Sequence, residues 1–354
     1  MKIPPWLVWR KWLSGLAVSA AGGAICAAIG TPLPWMIGSL LAMAVCNFSG
    51  ASLSAPRFSR ECGQFVIAMT LGLYFTPAVF ALVLTHWGVL VAASAGAIAM
   101  GHVTGLFLAR AGGVDGSTAF FACIPGGAME MARLGERWDA EVEKIAIAHA
   151  LRLLLVVCIF PVGMTLAGAH GTDTYHPVLI PFDWLKLAEL AAITSLGGIA
   201  FQAMAFPNPW MMGPLIATIA LTASGVEFSS MSRPLVNAAQ ISLGCSLGSR
   251  FTRRSLTGAP RYVSAVLASL ALIMVLSVLF GWGLAAVTGL SVASVILACA
   301  PGGIAEMSIT ARTLQLGVAL VTAAHVTRVL VILTSADTVH RFLFPKKRRH
   351  IPNQ

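Results

Sequence analysis

The chain has 354 residues, of which 57% are hydrophobic and only 10% are charged, and its mean hydropathy is +0.84. Soluble domains carry about 25% charged residues, so this composition excludes an ordinary soluble protein and leaves no room for a sizeable soluble domain. Apolar runs of about 20 residues recur from end to end, whereas short alternating segments do not. The sequence therefore predicts an all-α polytopic membrane protein.

The net charge of +10 raises the question of a nucleic-acid partner. The basic residues cluster beside apolar runs, where charges set membrane topology, and no nucleic-acid-binding pattern accompanies them. Membrane lipids are therefore the predicted partner, with no nucleic acid. The main clusters are Lys2 with Arg10 and Lys11, the arginines from Arg250 to Arg261, and Arg341 to Arg349.

In chain order, the first half predicts apolar segments at about 13–29, 35–48, 62–75 and 78–109, a Pro-Gly-Gly segment near 117–133 and a last helix near 144–168. A linker with little positive charge follows, and the second half repeats the order. Two segments match between the halves: CIPGGAMEM at 123–131 and CAPGGIAEM at 299–307. A Pro-Trp-Met element also recurs, at Pro34 and Pro209.

This duplication predicts the organisation of the chain. We predict a first membrane repeat at 1–170, a linker at 171–186, a second repeat at 187–345 and a basic cytoplasmic tail at 346–354. If each Pro-Gly-Gly segment is re-entrant, each unit crosses the membrane about five times and the second copy is inverted. Both termini then lie in the cytoplasm, and only Arg233 and Arg312 break the positive-inside bias. A broken crossing in place of a re-entrant segment stays open.

The Pro-Gly-Gly segments are the predicted functional site. Proline and glycine interrupt helices, and broken backbone at membrane depth is tolerated only when it is buried or lines a cavity. Inverted-repeat transporters use such breaks as midplane sites, and charges in apolar segments are costly and usually functional. The predicted substrate- or ion-binding residues are Pro125, Gly126, Gly127, Glu130, His149, Arg152, Pro301, Gly302, Gly303, Glu306, His325 and Arg328.

The roles of these residues leave alternatives open. A glutamate could bind the coupling proton, with a histidine on the same helix face as an arginine relaying it. The arginines could hold a carboxylate of the substrate. Alternatively, the breaks only pack two helices closely, the glutamates and arginines form structural ion pairs, or the glutamates are solvated near the membrane interface.

Other polar residues give weaker signals. The spacing of His170, Asp173 and His176 would suit a metal, but they lie in a polar linker, so no metal site is expected. The seven cysteines predict buried free thiols without a disulfide framework. Side chains that would line a cavity or bond to backbone are Gln64, Thr76, Asn208 and Gln240. Interface anchors are Trp35 and Trp210. His86 and His102 have no counterparts in the second half.

The duplicated PGGxxEM element, the PWMxG element and the H-x-x-R pairs together resemble the AbrB family of bacterial inner-membrane proteins, over essentially the whole chain. Members are labelled as regulators of gene expression or as ammonia monooxygenases. The repeats are also similar to the broad cation/proton antiporter and anion transporter group, whose inverted repeats contain discontinuous helices; QFVIAMTLGL at 64–73 shares that character. The resemblance implies a secondary transporter in the bacterial inner (plasma) membrane.

The sequence thus favours a secondary active transporter of a small organic solute, anionic if the arginines grip it, and coupled to protons or another ion. The alternative is a non-transporting membrane sensor that affects gene expression indirectly. We expect no enzyme and no cofactor, because a copper monooxygenase needs converging imidazoles and only His149 and His325 fall at matched positions. No GxxxxGK[ST] loop points to ATP coupling. A homo-oligomer is left open.

Overall fold

A computed structural model describes residues 5–171, 180–251 and 259–344, and within these ranges the protein consists of fifteen helices without a strand. The helices are, in chain order, α1 Pro5–Ile29, α2 Pro34–Phe48, α3 Ser59–Gly72, α4 Pro77–Thr85, α5 Trp87–Gly112, α6 Gly116–Cys123, α7 Ala128–Glu136, α8 Val142–Leu166, α9 Trp184–Ala203, α10 Pro209–Ala223, α11 Arg233–Gly248, α12 Pro260–Thr288, α13 Val292–Cys299, α14 Ile304–Thr313 and α15 Val318–Leu343.

Six of these helices (α1, α5, α8, α9, α12 and α15) are long and apolar enough to cross a membrane, and α2 and α10 are shorter apolar helices. Large apolar side chains cover their outer faces; Val287 and Leu185, for example, are 86% and 81% exposed. Such a surface suits lipid rather than water. The prediction of an all-α membrane protein is confirmed, while the count of about ten crossings and the inverted layout stay predictions.

The structure corrects the segment predicted at 78–109, which is two helices. α4 ends at Thr85, and α5 begins at Trp87. α4 also lies at 90° to α3. Pro77 begins α4, where a missing backbone N–H costs nothing, and the Thr76 hydroxyl accepts a hydrogen bond from the Val79 N–H at 3.4 Å. The second break, at His86, escapes prediction because the apolar run continues across it without proline or charge.

Glycines let the first two helices of each half cross at backbone contact. A Cβ on Gly38 would overlap the carbonyl oxygen of Gly22, and a Cβ on Gly213 would overlap that of Gly197. The tryptophan of the repeated Pro-Trp-Met element covers the neighbouring glycine: a Cβ on Gly198 would lie 2.9 Å from a ring carbon of Trp210. The PWMxG element is therefore a helix-crossing motif, in which small residues allow close approach.

The two halves interlock through reciprocal contacts. α2 packs against α11 and α10 packs against α3, while α3 contacts α11 and α5 contacts α12. In the sequence repeat α2 corresponds to α10, α3 to α11 and α5 to α12, so every one of these contacts has its counterpart. This arrangement brings the two Pro-Gly-Gly segments into the same central region.

Candidate functional site

Each Pro-Gly-Gly segment is a pair of short helices separated by four residues. α6 ends at Cys123 and α7 begins at Ala128; α13 ends at Cys299 and α14 begins at Ile304. The backbone is extended on both sides of the first break, at Ile124 (φ −60°, ψ 127°) and Gly127 (φ −69°, ψ 137°). The break therefore exposes the C-terminal end of one helix and the N-terminal end of the next, with their unpaired carbonyls and N–H groups.

The first glycine of each break makes room for a methionine. A Cβ on Gly126 would lie 2.8 Å from the Met131 side chain, and a Cβ on Gly302 would lie 2.6 Å from that of Met307. Both methionines are fully buried. This packing explains why PGGxxEM ends in methionine, a residue that the sequence analysis did not count among the site residues.

The second glycine makes room for the glutamate. The carboxylates of Glu130 and Glu306 fold back to the places that a Cβ on Gly127 and on Gly303 would occupy. Each glutamate is the third residue of its helix, and the glycine is the N-cap. A glutamate at this position reaches the N–H groups at its own helix N-terminus, where the helix dipole favours a negative charge.

The arginines hold the other side of each break. Arg152 donates to the carbonyl oxygens of Ile124 (3.0 Å) and Gly126 (2.9 Å). Arg328 makes the same pair of contacts, to Ala300 at 2.6 Å and to Gly302. A guanidinium at a helix C-terminus satisfies unpaired carbonyls and compensates the dipole. The geometry thus assigns both arginines a backbone-binding role, which the sequence analysis did not weigh.

The histidines of the H-x-x-R pairs bind the same half-helices one turn earlier. Nε2 of His149 donates to the Phe121 carbonyl and Nε2 of His325 donates to the Leu297 carbonyl, each at 2.9 Å. A carbonyl can only accept, so Nε2 carries the hydrogen in both rings. Nδ1 has no partner in either ring. Together, histidine and arginine fasten α8 to α6 and α15 to α13.

Both breaks line one central cavity of about 1120 Å³. Of the twelve predicted site residues, nine line it; the exceptions are Pro301 and the two histidines, which are fully buried. The nine are Pro125, Gly126, Gly127, Glu130, Arg152, Gly302, Gly303, Glu306 and Arg328. The structure thus brings the two sequence motifs together, and ligand binding by these residues stays a prediction.

The cavity also has polar residues that the sequence analysis did not select as binding residues. Three of them lie at the start of α3: Arg60, Glu61 and Cys62. Asn208 directly precedes α10, and Arg250 lies two residues after the end of α11. Arg60 donates to the Asn208 side-chain oxygen at 2.8 Å. The sequence analysis assigned Arg60 and Arg250 to topology, because an arginine at a helix end gives no further signal.

Among the described residues, the charged side chains that line the cavity are four arginines and three glutamates. Across the described part of the chain, neither Glu130 nor Glu306 has a cationic side chain within 4.0 Å, so the alternative of Glu–Arg ion pairs does not hold in this structure. Arg250 lies at the rim and is exposed; desolvation and the nearby Arg60 guanidinium lower its pKa below the usual arginine value.

The two breaks differ in their surroundings. Glu306 is only 8% exposed, because α14 packs against α3 and α8. Glu130 is half-buried, and α7 does not pack extensively against α11, the counterpart of α3. The second break is therefore more enclosed than the first; we call the side of the cavity at the second break the closed side and the side at the first break the open side.

The structure also locates several of the residues to which the sequence gives a weaker functional signal. The metal candidate rests on Asp173 and His176, which lie outside the described residues; no cluster of three such ligands occurs in residues 5–171, 180–251 and 259–344. The cysteines are free, but only three are buried, which corrects the prediction of buried thiols: Cys62 is exposed in the cavity, and three others are partly buried, namely Cys26, Cys46 and Cys158. Trp210 lines the cavity, and Gln240 is buried with an unpartnered oxygen.

With this geometry in hand, comparison with known proteins identifies the family. Residues 35–344 match the profile of the family described as "Transition state regulatory protein AbrB". The chain belongs to the AbrB family. It is 28% identical to "Uncharacterized protein YhjN" of Bacillus subtilis (strain 168) over 93% of this chain and 92% of that protein. It is 21% identical to "Putative regulator AbrB" of Escherichia coli (strain K12) over 89% and 91% of the two chains. The predicted family is confirmed.

Proposed function

We propose that this AbrB-family membrane protein is a secondary active carrier of a small organic anion, coupled to protons. One observation carries the proposal: two interrupted helices, each with a glutamate at the break, line a single cavity. Broken helices that line a cavity inside a membrane protein are typical of transporters.

The charges in the cavity support an anion as the solute. Among the described residues that line the cavity, four arginines outnumber three glutamates, and Arg60 and Arg250 are two of the arginines. Arg152 and Arg328 bind backbone carbonyls, but their positive charge still faces the cavity. The N-termini of α7 and α14 add two further sites that attract negative charge.

The position of the glutamates supports proton coupling. The carboxylate of Glu306 occupies the N-terminus of α14, which is also a favourable place for the carboxylate of a solute. Protonation of Glu306 would neutralise the occupant of this helix end and favour its replacement by the solute anion. Proton and anion would then bind together and move in the same direction. Glu130 would do the same at α7.

Arg60 and Arg250 line the cavity, and the charge pattern of the sequence assigns both to the cytoplasmic side. We therefore infer that this conformation faces the cytoplasm, in the inner (plasma) membrane, with both termini on the cytoplasmic side. The remaining partners would be the solute and membrane lipids.

A sensor that binds a solute without transporting it is the second candidate. The family description and the name of the Escherichia coli relative both refer to regulation. Any effect on gene expression would be indirect, through the concentration or the binding of a metabolite. This candidate uses the same cavity, so only a flux measurement separates it from the carrier.

The test is solute flux in proteoliposomes that carry a proton gradient, with a panel of small carboxylates, amino acids and cations. Glu306→Gln is expected to lower gradient-driven flux of the anion at least about tenfold, because the group that exchanges the coupling proton is gone. Glu130→Gln is expected to have a similar effect. Glu143→Gln is the matched control, since this exposed glutamate lies in the first turn of α8 and outside the cavity.

The outcomes separate the two candidates. Binding of a panel compound without flux would replace the carrier by the sensor. Flux that is equal in the wild type and in all three variants would contradict the assignment of Glu130 and Glu306 as coupling residues.

A further inference from the structure

The closed side of the cavity contains a hydrogen bond between the two halves. Nε of Arg312, in the last turn of α14, donates to the Tyr74 hydroxyl just after α3, at 3.1 Å. α14 packs against α3 at this point. The bond therefore joins the helix that follows the second break to the first half of the chain.

The sequence repeat assigns each of these residues a counterpart. The spacing that relates Glu130 to Glu306 also relates Glu136 to Arg312 and Tyr74 to Arg250. Where the closed side has an arginine and a tyrosine, the open side thus has a glutamate and an arginine. These two residues lie at equivalent places, at the end of α7 and just after α11.

Glu136 and Arg250 are apart in this conformation. Both side chains are exposed, and neither has an oppositely charged partner within 4.0 Å among the described residues. The charges that act on Arg250 are those of Arg60, Glu306 and Glu61. α7 and α11 both line the cavity but do not pack extensively against each other, whereas their counterparts α14 and α3 are in contact.

We propose that Glu136 and Arg250 form an ion pair that closes the cavity on this side in the second conformation of the protein. The proposal rests on the carrier function proposed above, because alternating access requires the open side to close while the other opens. Movement of α7 onto α11 would reproduce the contact of α14 with α3. The Arg312–Tyr74 bond would break in the same step.

The chemistry of the pair suits a reversible closure. In the open conformation both side chains reach solvent, and Arg250 is already partly desolvated, so formation of the pair adds only part of the usual desolvation cost. A solvent-exposed ion pair contributes little free energy, which allows the two conformations to interconvert. An arginine can also bind a carboxylate through two parallel hydrogen bonds, which fixes the relative position of the two helices.

Cross-linking tests the approach directly, with Cys62 as a natural reporter because it is exposed in the cavity. The double variant Glu136→Cys with Arg250→Cys is treated in membranes with a short thiol cross-linker, and a membrane-impermeant maleimide then labels Cys62. We expect a cross-link between the two introduced thiols and at least about fivefold slower labelling of Cys62. Peptide mass spectrometry measures both the yield of the cross-link and the extent of Cys62 labelling. Arg137→Cys with Arg250→Cys is the matched control, one position along the chain.

Charge reversal provides a second measurement in the protein without introduced thiols. Arg312→Leu removes the opposite closure and is expected to slow Cys62 labelling about two- to fivefold, the range set by a single exposed polar contact. Adding Glu136→Arg should restore the labelling rate, because two like charges then meet. Adding Glu136→Arg together with Arg250→Glu should slow it again.

Cross-linking no faster than in the control pair, or a Cys62 that stays equally reactive after cross-linking, would overturn the proposal. So would a reversed pair that fails to slow labelling. None of these readouts measures flux, so the two proposals fail separately. If the cross-link forms and Cys62 is protected but no solute is transported, the closure proposal holds and the protein is a sensor. If solute is transported but the cross-link does not form, the carrier proposal holds and Glu136 and Arg250 do not close the cavity.

Discussion

Replacement of Arg328 by leucine is expected to lower the free energy of unfolding by about 2–5 kcal/mol, because each buried carbonyl that loses its donor costs about 1–3 kcal/mol. The guanidinium is 3% exposed and donates to the carbonyl oxygens of Ala300 and Gly302. Leucine would leave both carbonyls unpaired in a buried site at the end of a helix. Arg152→Leu should have a smaller effect of the same sign, because the Ile124 carbonyl keeps its hydrogen bond from the Gly126 N–H at 2.8 Å.

The measurement is the denaturation midpoint of the purified protein in detergent. Arg341→Leu is the control: its ion pair with Asp337 at 2.8 Å is exposed, so its loss should cost less than about 1 kcal/mol. Arg328→Lys should lie between the two, since an ammonium is a point charge and lacks the planar fork that reaches two carbonyls. A wild-type midpoint for Arg328→Leu would show that the break does not need this contact.

Replacement of Gly213 by valine is expected to destabilise the protein by at least about 3 kcal/mol or to abolish insertion into the membrane. A Cβ at this position overlaps the backbone carbonyl of Gly197, and backbone cannot rotate away as a side chain can. α9 and α10 would have to separate, which loses the packing on which helix association in lipid depends. Gly38→Val should act in the same way on α1 and α2.

Gly283→Val is the matched control for this prediction. Gly283 also lies within a long apolar helix, α12, but a Cβ there meets no atom within 4 Å. We expect a change of less than about 0.5 kcal/mol, as for a surface substitution. Yield in the membrane fraction and the denaturation midpoint measure both variants. Equal stability of Gly213→Val and Gly283→Val would mean that the helices of the repeat do not cross at backbone contact.

Much of the fold was predictable from local properties of the chain. Hydropathy and low charge predict the membrane helices, and the family is confirmed by the match over residues 35–344. The Pro-Gly-Gly runs mark both breaks correctly, because proline lacks a backbone donor and two adjacent glycines have little helical preference. The exact repeat predicts that the residues at the two breaks share equivalent surroundings, and the paired contacts of Arg152 and Arg328 agree.

The partners of the charged residues were less predictable from the sequence. Arginine in an apolar helix indicates a polar contact, but every residue in the chain has a carbonyl that could accept it. The choice between a solute, a glutamate and the end of a half-helix depends on the distance between segments. In the fold that distance places the carbonyls of Ile124 and Gly126 nearest to Arg152. For the same reason the sequence predicts only that Arg60 and Arg250 set the membrane topology, although both line the cavity.

The sequence by itself determined the membrane class, the positions of the breaks and the family, because each depends on residues close together in the chain. Only the tertiary structure decided that the glutamates cover their own helix ends and that α14 is enclosed while α7 is not. Two nearly identical motifs acquire different surroundings through packing against other helices. Such packing minimises exposed backbone and fills space across the whole protein. The surroundings of each break therefore cannot be predicted from a single segment of the sequence.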